Sequence, residues 1–330
     1  MKQTLTVIIL TYNERLHIRR CLEKLQPLGA KEIVIVDCHS TDGTQTIAQS
    51  LGARVIEHDW PGNQAAQMKW LQENVSLESD WVLRLDADEY LLPELIDELK
   101  ERLDTLPLTT TGVVFKRRHI FMGKWVKHGV YPVEILRLWR NGKAVCEQRE
   151  MDEHMILLEG ESVTFKHDFV DHNLNNLIWW TQKHLNYARR EIRTALGAES
   201  AERTCEQGSP ETVLCSLFTA HSSEAKTLPS DISHLTSDIQ MPPSAGYLAD
   251  NTAAKRHVKS IYYKLPLFWR SFAYFLYRYF IKLGFLDGQP GFLWAYLQAF
   301  WYRTFVDALI YERRLMDQSD SDYIKSRGGE

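Results

Sequence analysis

The sequence contains no stretch of uncharged apolar residues as long as the ~18–20 that a spanning helix needs. It therefore excludes a chain that crosses a bilayer on helices and leaves membrane contact from one side only. Its five cysteines, Cys21, Cys38, Cys146, Cys205 and Cys215, form an odd set without metal-binding spacing. That pattern argues against a zinc module or a disulfide framework and for a reduced compartment. The start, Met1-Lys2-Gln3-Thr4, runs straight into a strand-like segment and lacks a signal peptide's pattern, so the expected location is cytoplasmic. No repeat of fixed period is present. A formal net charge of −4 over 330 residues offers no basic surplus for nucleic acid.

That average hides an asymmetry. Residues 195–254 carry eight acids against two bases, with fifteen Ser/Thr and two aromatics, Phe218 and Tyr247. Their composition fits a flexible insertion better than a packed element. Residues 255–314 carry ten Lys/Arg against three acids, and aromatic residues crowd Tyr262 to Phe280 and Phe292 to Phe305. Arg270, Arg278 and Lys282 interrupt the first run, and Gly284, Gly288, Pro290 and Gly291 separate it from the second. Such helices are too aromatic for a water-facing surface and too charged to span a bilayer. They suit the headgroup layer, where Trp and Tyr are at home. The plainer alternative is a helical pair packed on the rest of the protein.

The first hundred residues alternate strand and helix. Thr4–Leu10, Glu32–Val36, Arg54–Glu57 and Trp81–Leu85 read as strands, and Glu14–Leu25, Thr44–Leu51 and Asn63–Glu73 as helices. The alternation implies an α/β fold with a mostly parallel sheet, whose ligands bind outside the carboxyl ends of the strands. Polar residues are concentrated there: Thr11-Tyr12-Asn13-Glu14 after the first strand, Asp37 to Thr44 after the second, and Asp86-Ala87-Asp88-Glu89 after the fourth. Singly, Asn13 or Asp42 could cap a helix and Gly43 could turn the chain. Jointly, acids and amides at three strand ends favour a site. Carboxylates at such an edge suit a hard divalent cation that bridges to a diphosphate. Beyond Gly112 the pattern is less regular, with a strand at Gly112–Phe115, an ionisable cluster at Arg149 to His154, and a helix over Leu174–Glu191.

With these motifs in place, the chain resembles family 2 glycosyltransferases of the nucleotide-diphospho-sugar (GT-A) fold. It is similar in particular to the bacterial branch that includes lipopolysaccharide-core β-1,4-glucosyltransferases. The motifs that carry the likeness are Val7 to Glu14, Val34 to Thr44, Asn63-Gln64-Ala65-Ala66-Gln67, Leu85 to Glu89, Tyr277 to Gly288 and Gln298 to Arg303. Composition and resemblance together divide the chain into a catalytic domain over 1–194, an insertion over 195–254 where it departs from the family, membrane-interface helices over 255–314 and a polar tail over 315–330. The resemblance implies that Thr11, Tyr12, Asn13, Glu14, Asp37, Asp42, Gln64 and Asp86 bind the nucleotide sugar. Asp88, with His167 as a further contact, would hold Mg²⁺ or Mn²⁺ against the diphosphate.

An inverting transfer needs a base for the acceptor hydroxyl. The family places an acidic motif about sixty residues after the metal motif, where Asp152-Glu153-His154 stands here. The order departs from the commonest form, and Glu153 is the expected base with Asp152 the alternative. Arg117, Arg118, Arg137 and Lys183 are candidate contacts to diphosphate or to an anionic acceptor, each also readable as an ordinary ion-pairing residue. The implied partners are a nucleotide-diphosphate sugar, UDP-linked by preference, and a lipid-linked or lipopolysaccharide acceptor at the inner face of the inner membrane. Rival readings are a non-catalytic sugar-nucleotide-binding scaffold and a transferase acting directly on polyprenyl phosphate. A nucleotidyltransferase would begin with a Gly-rich basic loop, which Leu10-Thr11-Tyr12-Asn13-Glu14 is not.

Overall fold

The computed structural model describes residues 2–148, 153–207 and 261–327. Its first third is the expected alternation. Strands β1 (Leu5–Thr11), β2 (Glu32–Asp37), β3 (Arg54–Glu57) and β4 (Trp81–Asp86) run parallel. They are joined by α1 (Ile18–Leu25), α2 (Thr44–Ser50) and α3 (Gln64–Asn74). β1 is buried along almost its whole length, as befits a central strand covered on both faces. On α1, Ile18, Cys21, Leu22 and Leu25 recur at helical spacing, and all are buried beneath the sheet. Register brings the functional positions level: Thr11 lies beside Asp37, and Leu10 lies beside Asp86.

The second part adds β5 (Glu89–Leu91), α4 (Pro93–Arg102), β6 (Thr110–Phe121), β7 (Lys124–Val126), β8 (Val133–Arg140), β9 (Ala144–Cys146), β10 (Met155–Leu157) and β11 (Glu161–Asp171). Among the described residues the main sheet has the order β3-β2-β1-β4-β8-β6-β11-β5, with β7 paired to β6. β8 is antiparallel to both β4 and β6, and β11 is parallel to β6. β6 and β11 therefore point the same way as β1, β2 and β4. Their carboxyl ends all face one edge.

β6 is longer than the sequence suggested, because Lys116 to Phe121 continue the ladders with β8, β11 and β7. β11 carries a bulge: Thr164 pairs with Val114, but Asp168 pairs with Lys116. The backbone N–H groups of Lys166 and His167, freed from the ladder, donate to the Glu98 carboxylate of α4 at 3.0–3.1 Å. Buried backbone donors need such partners.

The remaining elements are helical. α5 (Leu177–Gln207) runs without interruption past residue 194, where the insertion was expected to begin, and residues 208–254 lie outside the described residues. α6 (Trp269–Leu276) continues into a π-helical turn, Tyr277–Ile281. A 3₁₀ turn, Gly284–Asp287, then leads into α7 (Gly288–Ala295) and, through π-helical Tyr296–Trp301, into α8 (Tyr302–Arg327). The glycines at this break have a steric reason, since a Cβ on Gly291 would collide with the Gly284 carbonyl.

α5 and α8 share a small core of Ala188, Tyr302, Val306 and Ile310. Glu191 of α5 accepts hydrogen bonds from Tyr302 at 2.6 Å, from Arg303 at 2.7 Å and from Tyr263. Within the block, Arg270 and Asp307 form a wholly buried ion pair, and Asp307 also accepts from the Phe268 N–H and the Ser271 hydroxyl at 2.8 Å. Stripping one partner from such a pair costs roughly 3–5 kcal/mol, so these helices hold one arrangement. No helix among the described residues is long and apolar enough to cross a membrane.

Candidate active site

The β1 and β2 loops are tied into one unit. Asp37 is fully buried at the end of β2. It accepts from Thr11 Oγ1, Ser40 Oγ and Gln45 Nε2 at 2.6 Å and from the Ser40 N–H at 2.7 Å. These four bonds saturate the carboxylate, which thereby fixes the loop. Asn13 adopts a left-handed conformation, φ 55°, and its Oδ1 accepts from the Thr41 N–H at 2.9 Å. Asp42 takes the Arg15 N–H, the Thr44 N–H and the Thr44 hydroxyl. Burial opposes its ionisation, but the Thr44 and Arg15 bonds hold it below the usual carboxylate range.

A second tie crosses the edge through His17. Its Nε2 accepts the Leu174 N–H at 2.8 Å, so the proton lies on Nδ1, which donates to Glu14 at 2.6 Å. Tyr12 (61% exposed) and Gln64, at the first turn of α3, are left open to solvent.

The acid turn after β4 is built on Arg137 of β8. Its buried guanidinium reaches Asp86 Oδ2 at 3.2 Å and Glu89, whose other oxygen accepts the Asp86 N–H at 3.0 Å. Burial, then the neighbouring Asp86 and Asp171, push Glu89 up to about 8 against the pull of Arg137. Burial would raise Asp86 too, yet Arg137 and Arg84 hold it below the usual range. Arg84, a buried residue of β4 on the same face as Asp86, stands 3.9 Å from Asp86 Oδ1 and 3.5 Å from Glu153 Oε1. Glu153 is thereby joined to Asp86 through one guanidinium. Asp152 lies outside the described residues.

Asp88 faces the end of β11. It accepts from Asn173 Nδ2 at 3.0 Å, its carbonyl accepts from the His172 N–H at 3.1 Å, and Arg20 holds that carbonyl and the His172 carbonyl at 3.2 and 2.5 Å. Burial, followed by the charges of Asp171 and Asp86, pushes Asp88 up to about 6, with Lys183 and Asn173 opposing. Asp171 itself is held well below the usual range: burial is outweighed by the His119 hydrogen bond, Arg117 and Lys183. Burial would lower Lys183, but Tyr187 and Asp88 raise it.

Several expected residues are thus brought to one edge: Thr11, Asn13, Glu14, Asp37, Asp42, Asp86, Asp88, Glu153 and Lys183. Others are not. His167 sits in the β11 bulge with Nδ1 on Glu98 Oε2 at 3.0 Å, turned to α4 rather than to Asp88. Arg137 is consumed by Asp86 and Glu89. Arg118 binds Asp168 at 2.6 Å, and Arg117 lies 3.5 Å from Asp171. Sequence reasoning missed Arg84, Asp171 and Asn173, and read Glu89 only as part of the acid triplet. Arg84 had a signal, being a charge inside the apolar run Trp81 to Leu85. Asp171 had none, because its strand is interrupted by the bulge.

Among the described residues no three His, Cys, Asp or Glu side chains are grouped closely enough to hold a metal alone. Mg²⁺-like ions are commonly bound through one or two carboxylates together with substrate phosphates and water. Asp88 and Asp171 fit that use. Burial and the neighbouring charges of Asp171 and Asp86 oppose the ionisation of Asp88, and a divalent cation with its diphosphate would offset them.

The sheet order and the acid turn at its carboxyl edge fit the α/β fold expected from the resemblance. Residues 6–165 match the family model described as glycosyl transferase family 2, and that segment is a domain of this family. An uncharacterized glycosyltransferase of Rickettsia bellii is 37% identical over 100 residues, 30% of this chain and 33% of that protein. The chain thus spans about a third of the length of such relatives. The lipopolysaccharide core biosynthesis glycosyltransferase LpsC of Rhizobium meliloti is 32% identical over 172 residues, 48% of this chain and 59% of that protein. The solved structure of S. aureus TarS 1–349 overlaps loosely, with a TM-score of 0.39 and 16% identity over 51% of this chain and 60% of that one.

The raised Asp88 gives a pH-dependent expectation. Its protonated form stabilises the metal-free fold below the ordinary carboxyl value near 3.8, and that contribution is lost as pH rises through about 6. Relative to Asp88→Asn, metal-free protein should melt at a similar temperature near pH 4 and at a lower one near pH 7.5. Mn²⁺ should raise the wild-type Tm near pH 7.5, fail to do so near pH 5, and leave the variant unmoved. Equal Mn²⁺ shifts at both pH values, in melting scans, would put the ion elsewhere.

Proposed function

We propose that this protein is a metal-dependent inverting glycosyltransferase. It moves one sugar from a nucleotide-diphosphate donor, UDP-linked by preference, to a lipid-linked or lipopolysaccharide acceptor at the inner face of the inner membrane. The observation that supports the reading is the acid turn after β4, where Arg84 lies 3.9 Å from Asp86 and 3.5 Å from Glu153, with Asp88 two residues beyond Asp86. A dication held by Asp88 would supply charge stabilisation for the departing diphosphate.

The chain's own residues account for the rest. The β1–α1 and β2–α2 loops, fixed by the Thr11–Asp37 bond, offer Tyr12 and Asn13 to the nucleoside, and Lys183 adds positive charge beside Asp88. Glu153, steadied by Arg84, takes the proton of the acceptor hydroxyl. The acceptor oxygen bonds to the anomeric carbon on the face opposite the diphosphate, and the bond to the leaving phosphate oxygen breaks with its electron pair. The anomeric configuration inverts.

The lipopolysaccharide-type acceptor is supported by the likeness to LpsC and by the helical block. Trp269 (72%), Ile281 (70%), Leu286 and Phe280 are among its exposed apolar side chains, with Arg278 and Lys282 nearby in sequence. Exposed apolar residues with flanking bases suit an anionic bilayer surface.

Donor hydrolysis across a panel of UDP- and GDP-sugars, with Mn²⁺ or EDTA and membrane extract as acceptor source, tests the reading. One donor should turn over only with metal. Asp88→Ala should abolish turnover, and Glu153→Gln should lower kcat by ~100-fold or more with little change in KM. Donor binding without turnover under every condition would instead favour the scaffold.

A separate check concerns the membrane. The protein should sediment with vesicles containing anionic phosphatidylglycerol, and Trp269→Ser with Ile281→Ser should release it. Retention of that double variant would remove this surface from the account.

A further inference from the structure

α7 meets the catalytic sheet at two places. Asp287, just before it, accepts from His128 Nδ1 at 2.7 Å and from the His128 N–H at 2.8 Å. Trp294 packs against His119 and Phe121 of β6, with ring centroids 4.1 and 5.1 Å apart. The second contact leads into the reaction edge. His119 is the register partner of Asp171, and its Nδ1 lies 3.2 Å from Asp171 Oδ2. An ionised carboxylate only accepts, so Nδ1 carries the proton. Arg117 approaches the same carboxylate oxygen at 3.5 Å.

The contact is made in an unusual way. His119 Nε2 and Trp294 Nε1 are both buried without a protein partner among the described residues. Buried ring nitrogens are ordinarily paired, so a seam chosen for stability alone would satisfy them or replace them with apolar groups. What the two rings provide instead is orientation. The indole bears on the imidazole ring, and the imidazole can then direct one N–H at Asp171.

We infer that Trp294 and His119 are positioning residues for the reaction edge: Trp294 sets the His119 ring, and His119 sets the Asp171 carboxylate beside Asp88. The inference rests on the transferase reading for what the edge does. It adds that the helical block completes the site as well as meeting the membrane. Hydrogen-bonded partners behind metal-binding carboxylates are commonly worth ~10–100-fold in metal affinity or activity, so the effect is measurable.

The test uses the purified full chain without membranes or vesicles. Mn²⁺ affinity without donor is read from the free-ion resonance, and donor hydrolysis is read separately. His119→Ala and Trp294→Ala should each weaken Mn²⁺ binding by ~10-fold or more. His119→Asn, which keeps an N–H donor in the place of Nδ1, and Trp294→Phe, which keeps a ring face, should restore most of it. Unchanged affinity in both alanine variants, or equal losses in His119→Ala and His119→Asn, would overturn the inference.

A metal-independent readout separates its failure from that of the transferase reading. The downfield Nδ1–H proton of His119, followed by NMR in labelled protein, should be present in the wild type, lost in Trp294→Ala and kept in Trp294→Phe. If the wild type neither bound Mn²⁺ nor turned over donor, the transferase reading would fail. The imidazole proton would still decide whether Trp294 positions His119, and its persistence in Trp294→Ala would reject that.

Discussion

Arg137 is the ion on which the acidic edge depends. Asp86, Asp88, Glu89 and Asp171 crowd the ends of β4 and β11, and in water-poor surroundings like charges repel strongly. Arg137 meets two of the four, reaching Asp86 at 3.2 Å and Glu89 directly, and Glu89 in turn takes the Asp86 N–H. A buried ion pair is weak evidence for added stability, because desolvation offsets much of the attraction. Its effect here is geometric. It locks the turn that carries Asp88, and it leaves Asp88 and Asp171 to other partners, Asn173 for the first and His119 with Arg117 for the second.

Strand direction does the remaining assembly. Two antiparallel steps, β4 to β8 and β8 to β6, return the chain to its original sense, so the end of β6 joins the ends of β1, β2 and β4. β11 then brings Asp171 in parallel with β6 and hands the chain to Asn173 and α5, which carries Lys183. The Glu14–His17–Leu174 bridge closes this circuit back to the first loop. One edge therefore draws on residues more than a hundred positions apart.

Much of this was legible in the sequence. The parallel half announced itself by alternation, since buried parallel strands read as short apolar runs between amphipathic helices. The loops after β1, β2 and β4 were found by position alone. The sequence was less informative where the ladder is irregular. The β11 bulge adds residues between Thr164 and Asp168, and the His167 that the family likeness implied as a contact is turned to Glu98 there, whereas Asp171 stands beside Asp88. Arg137 read as a ligand contact or as an ordinary ion-pairing residue, and only its place on β8 beside β4 shows it to be the counter-ion of Asp86 and Glu89. The 3₁₀ and π-helical turns of the C-terminal block were invisible to a period of 3.6. The glycines that permit them were not.

The central claim is that Asp88, with Asp171 beside it, holds a cation and its diphosphate at the carboxyl edge. A crystal structure of the full chain with Mn²⁺ and UDP, with the manganese located by anomalous scattering, tests it most directly. The account predicts manganese bonded to an Asp88 oxygen and to the diphosphate, with the uracil near Thr11 and Asn13. Manganese bound at His167 and Glu98, or a nucleotide lodged between α1 and α4 on the far side of Arg20, would contradict it.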